Sequence, residues 1–247
     1  MFNRTFTDAV RHRLINVMAT AMPAIETTDK AIDGVSVFLD YQNFYFVLKN
    51  GFKVPPKQTN IPALLREFVE SHGMLVKDIF LYTGIPDKTR DPVGHQEMEK
   101  RLSFWRRSGV KVRALPVLYI HNRSTGNTTV REKGIDVTLA SELVRSVMDG
   151  ANRILVVSND KDIAQSVRIA GEVALSKKRK LEAFSVIPSE VNVPELRMSG
   201  LGVDGVHFTR RLELSASLVR KHVSYLERAA QARLDNDTSS FEELSRS

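Results

Sequence analysis

Aspartates recur in this chain where apolar runs end. Asp40 closes Val35-Ser36-Val37-Phe38-Leu39, and Asp160 and Asp162 follow Ile154-Leu155-Val156-Val157-Ser158. Between them in sequence, Asp136 opens a helical pattern after Lys133-Gly134-Ile135. Carboxylates set just past buried parallel strands converge at one edge of a sheet, where open α/β folds bind ligands. Brought together they repel one another and demand a cation. The chemistry that suits such a cluster is that of Mg²⁺ or Mn²⁺ acting on phosphate.

Each motif also has a plainer explanation. In Asp40-Tyr41-Gln42-Asn43 the aspartate can ligate a metal while Asn43 orients it, yet Asp and Asn are favoured helix N-caps. Asp136 falls in the first turn of a helix, where a carboxylate complements the dipole. Ser158-Asn159-Asp160-Lys161-Asp162 shapes a tight strand-to-helix turn, and any of its first three residues suits an N-cap. Lys133 is less easily explained by helix formation; beside an acidic site it balances charge or contacts phosphate. Glu142 does not share the helix face of Asp136 and is either a supporting residue or a surface glutamate.

Strands are expected at 35–40, 78–82, 111–115, 153–157 and 181–187, and helices at 42–49, 61–72, 92–108, 135–148 and 161–175. Their alternation implies βαβ units and a mainly parallel sheet. The strand runs are nearly continuous in apolar residues, as expected when both faces are covered. Residues 119–132 read as a hairpin or mobile loop around Gly126-Asn127. A last helix is expected at 213–233, before a polar tail from Asp235. Near the start, Arg4, Arg11 and Arg13 alternate with Phe6, Val10, Leu14 and Val17 at helical spacing. A mitochondrial presequence has this look, but Asp8 argues against one, and an amphipathic helix packed on the domain or a partner fits better. The division expected is an N-terminal helical extension over 1–33, one α/β domain over 34–210, and a C-terminal helix and tail over 211–247.

The chain has 247 residues, a net charge of +7 and no cysteine. Its length allows a sizeable core. Without cysteine, disulfides, Cys-ligated zinc, iron–sulfur clusters and a catalytic thiol are excluded, and a cytoplasmic location fits. The basic balance favours a polyanionic partner. No apolar stretch approaches the ~20 residues of a membrane span, so no membrane is expected among its partners. The six histidines show no zinc-binding spacing.

Taken in chain order, three segments carry a resemblance. They are Phe38-Leu39-Asp40-Tyr41-Gln42-Asn43, Lys133-Gly134-Ile135-Asp136 with Leu139-Ala140, and Ser158-Asn159-Asp160-Lys161-Asp162. The sequence resembles the NYN family of the PIN-like nuclease superfamily, including its bacterial LabA-like group, over roughly residues 34–210. That resemblance implies a PIN-like three-layer α/β/α sandwich with a mainly parallel central sheet. It also implies Mg²⁺- or Mn²⁺-dependent ribonuclease activity, with Asp40, Asp136, Asp160 and Asp162 as catalytic and metal-site acids. Asn43 and Ser158 would be supporting polar residues. Two departures stand out. Glu142 is found where the family's helix usually has a second aspartate, and Asn159 and Lys161 replace small residues, often Gly. Glutamate can still reach a metal or a water, and Lys161 adds a cation next to the site. The implied reaction is hydrolysis of single-stranded RNA, with one or two divalent ions lowering the pKa of a bound water and stabilising the leaving oxygen.

Basic residues that could hold RNA fall in three places. Arg123, Arg131 and Lys133 flank the loop that leads into Asp136 and are the best candidates. Lys100, Arg101, Arg106 and Arg107 surround Phe104 and Trp105 on one helix, where a lone Trp is more often core than a platform for a base. Lys177-Lys178-Arg179-Lys180 form the third run. Either terminal helix offers a contact for a homodimer or a partner protein. Two other functions stay open: a non-catalytic RNA-binding or regulatory module that keeps the fold, and a phosphatase of another doubly wound family. The haloacid dehalogenase type needs DxD after its first strand, and the residue two past Asp40 is Gln42.

Overall fold

The structure, a computed structural model, describes residues 34–188 and 206–223, with the backbone alone for Lys161, Ile187 and residues 206–210. In chain order these form β1 (Val35–Asp40), α1 (Tyr41–Phe46), α2 (Ile61–Ser71), β2 (Val76–Ile85), α3 (Pro92–Arg107), β3 (Val110–Pro116), β4 (Leu118–His121), β5 (Thr128–Arg131), α4 (Ile135–Met148), β6 (Arg153–Val157), α5 (Lys161–Ser176), β7 (Leu181–Pro188), β8 (Val206–Leu214) and α6 (Ala216–Lys221). Six strands make one sheet in the order β3-β2-β1-β6-β7-β8, and every neighbouring pair is parallel. The chain builds outward from β1 to β3, then returns to lay β6 on the other side of β1. At such a reversal the connections leave in opposite directions and open a crevice at the carboxyl ends of the strands. Asp40 is the last residue of β1, and Ser158, Asn159 and Asp160 follow β6 directly.

Every residue of β1 is buried, as a central strand covered on both faces must be. Alternation sends Val35, Val37 and Leu39 to one face and Ser36, Phe38 and Asp40 to the other. The first face packs on α1, α2, α3 and α6 through Phe44, Leu64, Leu65, Phe68, Leu102, Trp105 and Val219. The second packs on α4 and α5 through Leu139, Leu143, Val147, Ile163, Val167 and Ala170. The result is the PIN-like α/β/α sandwich that the resemblance implied. Asp40 therefore faces the layer whose two helices begin at Ile135 and Lys161.

Local chemistry sets the helix starts. Asn60 accepts the Ala63 N–H at 3.3 Å ahead of Pro62, and Asp91 accepts the Gly94 N–H at 2.8 Å ahead of Pro92. The expected hairpin is β4–β5, an antiparallel pair with Tyr119 opposite Val130. Its turn is closed by the Asn122 N–H donating to the Asn127 carbonyl at 2.8 Å, with Gly126 left-handed at φ 69°.

Three features differ from expectation. The helix expected at 42–49 is α-helical only to Phe46, and Val47–Gly51 continue it as a wider π turn. β8 had no counterpart in the sequence reading, and Glu213, expected to open a helix, lies within it. β8 is an edge strand in which exposed Arg211 and Glu213 alternate with buried Leu212 and Leu214, so it lacks the continuous apolar run of the central strands. It also carries the sheet past residue 210, the boundary expected for the domain. The N-terminal extension over 1–33 and the tail from residue 224 lie outside the described residues. Among the described residues no helix is long and apolar enough to cross a membrane.

Candidate active site

Asp40 ends β1 and caps α1, so the capping explanation of this residue holds in the structure. Its Oδ1 accepts the Asn43 N–H at 3.1 Å, and its Oδ2 accepts a bond from the Asn43 side-chain amide. The Ser158 hydroxyl approaches the same Oδ2 at 3.4 Å. A carboxylate has about four lone-pair positions, so three donors leave it one position for a water or a cation. The residue is only 6% exposed. Burial raises its carboxyl above the ordinary aspartate range; the bonds from Asn43 and Ser158 oppose that rise, and the charge of Asp160 adds to it.

Ser158 links the two motifs. While its hydroxyl donates to Asp40, its oxygen accepts the Asp160 N–H at 3.1 Å. Asp160 in turn caps α5, accepting the Asp162 N–H at 2.9 Å. Asp162 is exposed in the first turn of α5. The side chain of Lys161, read from sequence as a cation beside the site, lies outside the described residues.

Asp136 stands in the first turn of α4, where its carboxylate complements the helix dipole, but it is not the cap. The N-cap is Gly134, left-handed at φ 81°, with no side-chain cap bond. A residue with a Cβ is strained in that conformation, which is why Lys133 is followed by glycine. Thr138 secures the turn, its hydroxyl donating to the Gly134 carbonyl at 2.7 Å. Among the described residues none of the four aspartates forms an ion pair.

One further carboxylate belongs to this edge. Glu132, between β5 and α4, accepts the Gly84 N–H at 2.7 Å. Burial raises its carboxyl, the Gly84 bond opposes that, and the charge of Asp40 adds to the rise. In sequence it stands unmarked at the end of the 119–132 segment. Its place directly before Lys133-Gly134-Ile135-Asp136 was the available signal.

The donor set is carboxylate oxygen throughout, which suits a hard divalent cation. Among the described residues, however, no three acidic or histidine side chains stand close enough to hold an ion. Asp40 feels the charge of Asp160, and Glu132 that of Asp40, but no cage is formed. Mg²⁺ is commonly held through only one or two carboxylates with water completing its shell, and Asp40 with Asp160 would be the pair available for that. Next to Ser158, a small crevice of about 10 Å³, room for about one water, is lined by Asn43, Phe44, Val47, Val157, Ser158, Asn159, Val186 and Pro188.

Glu142 is not brought to this group. Its Oε2 accepts the Tyr82 hydroxyl at 3.0 Å, and its Oε1 pairs with Arg113 at 2.7 Å and Arg145 at 3.8 Å. Arg123, Arg131 and Lys133 are exposed on the hairpin and its exit. Trp105 is core, 3% exposed, with its ring edge-on to Tyr41 at 4.8 Å. The Lys177–Lys180 run is partly a clamp: Lys177 donates to the Met148 carbonyl at 2.7 Å, and Arg179 donates to Asn152 at 2.8 Å and to the Val147 carbonyl. These cations satisfy the carbonyl end of α4.

Comparison with known proteins agrees with the motifs. A crystal structure of a protein of unknown function, VPA0982 from Vibrio parahaemolyticus RIMD 2210633, is similar at 18% identity and a TM-score of 0.41, over 62% of this chain and 81% of that one. No curated protein matches. The NYN domain matches residues 34–186, from the start of β1 into β7, a span that includes all four aspartates, and the chain belongs to the NYN domain family.

Proposed function

We propose that this protein is a Mg²⁺- or Mn²⁺-dependent ribonuclease that cuts phosphodiester bonds within single-stranded RNA. The observation that carries the reading is Asp40. It is a buried carboxylate at the reversal point of the sheet, with the charges of Asp160 and Glu132 near it and, among the described residues, no cation paired to it. A buried charge so placed costs stability unless a ligand offsets it. Asp40, Asp160, Asp136 and Asp162 are the acids proposed to hold the ion. A bound divalent ion supplies an acidified water and neutralises charge on the phosphate. Asn43 fixes the Asp40 rotamer, and Ser158 keeps Asp40 and the Asp160 turn in register. Arg123, Arg131 and Lys133 would take RNA phosphates, giving salt-sensitive binding with little sequence preference. The family supports this reading, since its PIN-like relatives are nucleases by resemblance.

The test is cleavage of labelled single-stranded RNA in Mg²⁺ or Mn²⁺, with and without EDTA, by the wild type and Asp160→Asn. Loss of cleavage in both EDTA and the variant is expected. A variant as active as the wild type would sink the assignment. A second reading is an RNA-binding module without catalysis. It is favoured by the three donors already filling Asp40 and by the use of Asp40 and Asp160 as helix caps. RNA binding without cleavage, unchanged in Asp40→Asn, would support it.

A further inference from the structure

β1 pairs with β2 as far as Asp40 opposite Tyr82 and there it stops. Gly84 lies two residues further along β2, still opposite Leu115 of β3. Successive residues of a strand direct their N–H groups to opposite neighbours. The Gly84 N–H donates to Glu132 Oε1, not to β3, so it points to the side on which β1 has ended. The Glu132 carboxylate thus occupies the line of β1 just beyond Asp40. The charge coupling of Glu132 with Asp40 is independent support for that placement. The fit is close: a Cβ on residue 84 would come within 2.8 Å of both Cγ and Oε1 of Glu132, and within 2.7 Å of Val117 Cγ1. Downstream the chain is fixed at once, since Gly134 is left-handed and Ile135, the first residue of α4, is buried in the core.

We infer that Glu132 is a positioning residue: by accepting the Gly84 N–H it pins the turn from β5 into α4 to the end of β2, and so sets Asp136 against Asp40. The inference rests on the proposed reading of this edge as a catalytic site. It makes reach, not charge, the decisive property of the side chain. Glutamine keeps the length and an acceptor oxygen. Aspartate keeps the charge but is one methylene too short to hold a 2.7 Å bond.

Four full-length proteins decide the matter: wild type, Glu132→Gln, Glu132→Asp and Glu132→Ala, assayed for RNA cleavage with kcat and KM separated. Glu132→Gln is expected within about threefold of wild type, while Glu132→Asp and Glu132→Ala lose roughly tenfold or more in kcat with KM little changed. An aspartate variant better than the glutamine one would overturn the inference, because charge would then matter and not reach. Four equal proteins would overturn it as well. A wild type that cuts no RNA counts against the nuclease reading instead. Glu132 is then judged by the Mn²⁺ affinity of the same four proteins, where the same order supports positioning and any other result overturns it.

Discussion

Two acidic regions share helix α4, and they are built in opposite ways. At its start stands Asp136, four residues past Glu132, whose carboxyl feels the charge of Asp40 as Asp40 feels that of Asp160, and none of these acids has a cationic partner among the described residues. About 9 Å further down the helix, at 1.5 Å per residue, Glu142 is enclosed by Arg113, Arg145 and the Tyr82 hydroxyl. Lys111 and Asp78 make a second matched pair nearby at 2.9 Å, and Lys111 also lies 5.0 Å over the Phe80 ring. A matched charge is part of the scaffold and asks for nothing more. Carboxylates without an ion-pair partner at a sheet edge are where the proposed ion would bind. On the proposed function, the difference between the two regions is a difference between holding the fold and using it.

The strongest test of that division is a crossover. Asp40→Asn should lower RNA cleavage by about 10²–10³-fold, the usual cost of removing one preorganised charge from a reacting site, while stability at neutral pH changes little. Glu142→Ala should do the reverse. It leaves two guanidinium groups and a buried hydroxyl without their acceptor, at a cost of about 1–2 kcal/mol after allowing for the partly exposed arginines, and cleavage should stay within about twofold. Urea denaturation and a cleavage assay on both variants check this. Equal losses of activity would place Glu142 in the site after all, as its position in the family's helix motif implied.

Titration sharpens the contrast further. Burial, above all, holds the Asp40 and Glu132 carboxyls above their ordinary ranges. The folded state therefore binds their protons more tightly than the unfolded state does. Their contribution to stability is fully present below the ordinary carboxyl range and is lost as pH rises through their folded pKa values. In EDTA, the melting temperature should carry that declining component with rising pH, and Mg²⁺ or Mn²⁺ should restore stability above the window. In Asp40→Asn the decline should shrink, whereas Glu142→Ala should keep it. Thermal melts at stepped pH give the answer; identical slopes in wild type and Asp40→Asn would remove Asp40 from the account.

The same contrast explains what the sequence could and could not reveal. Strand-end aspartates are legible because a continuous apolar run such as Val35–Leu39 announces a central strand and its end. The hairpin was legible through Gly126-Asn127. Glu132 was not, since its role depends on Gly84, 48 residues away in sequence, and on β1 stopping two pairs short. Glu142 was ambiguous for the same reason: Arg113 and Tyr82 reach it from other strands. β8 was missed because Arg210, Arg211 and Glu213 interrupt its apolar residues and resemble the start of a helix more than a strand.

The smallest expected effect concerns the reach of the acidic edge toward its substrate. Residues 118–131 contain Arg123 and Arg131 and no acidic residue, and β5 runs through Glu132 and Lys133 into Asp136. α3 carries a comparable exposed set in Lys100, Arg106 and Arg107, but Arg101 on that helix is tied to the Tyr41 hydroxyl at 3.2 Å and to Glu97 at 3.7 Å, as a scaffold residue is. If the hairpin carries the strand toward the acids, each of Arg123→Ala, Arg131→Ala and Lys133→Ala should weaken binding of a single-stranded RNA a fewfold. Each should also flatten the dependence of log affinity on log salt by about 0.7, the counterion released by one phosphate contact on a single strand. The α3 substitutions should leave that slope where it was. A fluorescence titration at several salt concentrations separates the two sets. Equal changes in slope from both would mean that the RNA lies across α3 as well as the hairpin, and that net charge, not proximity to the unmatched acids, selects its path.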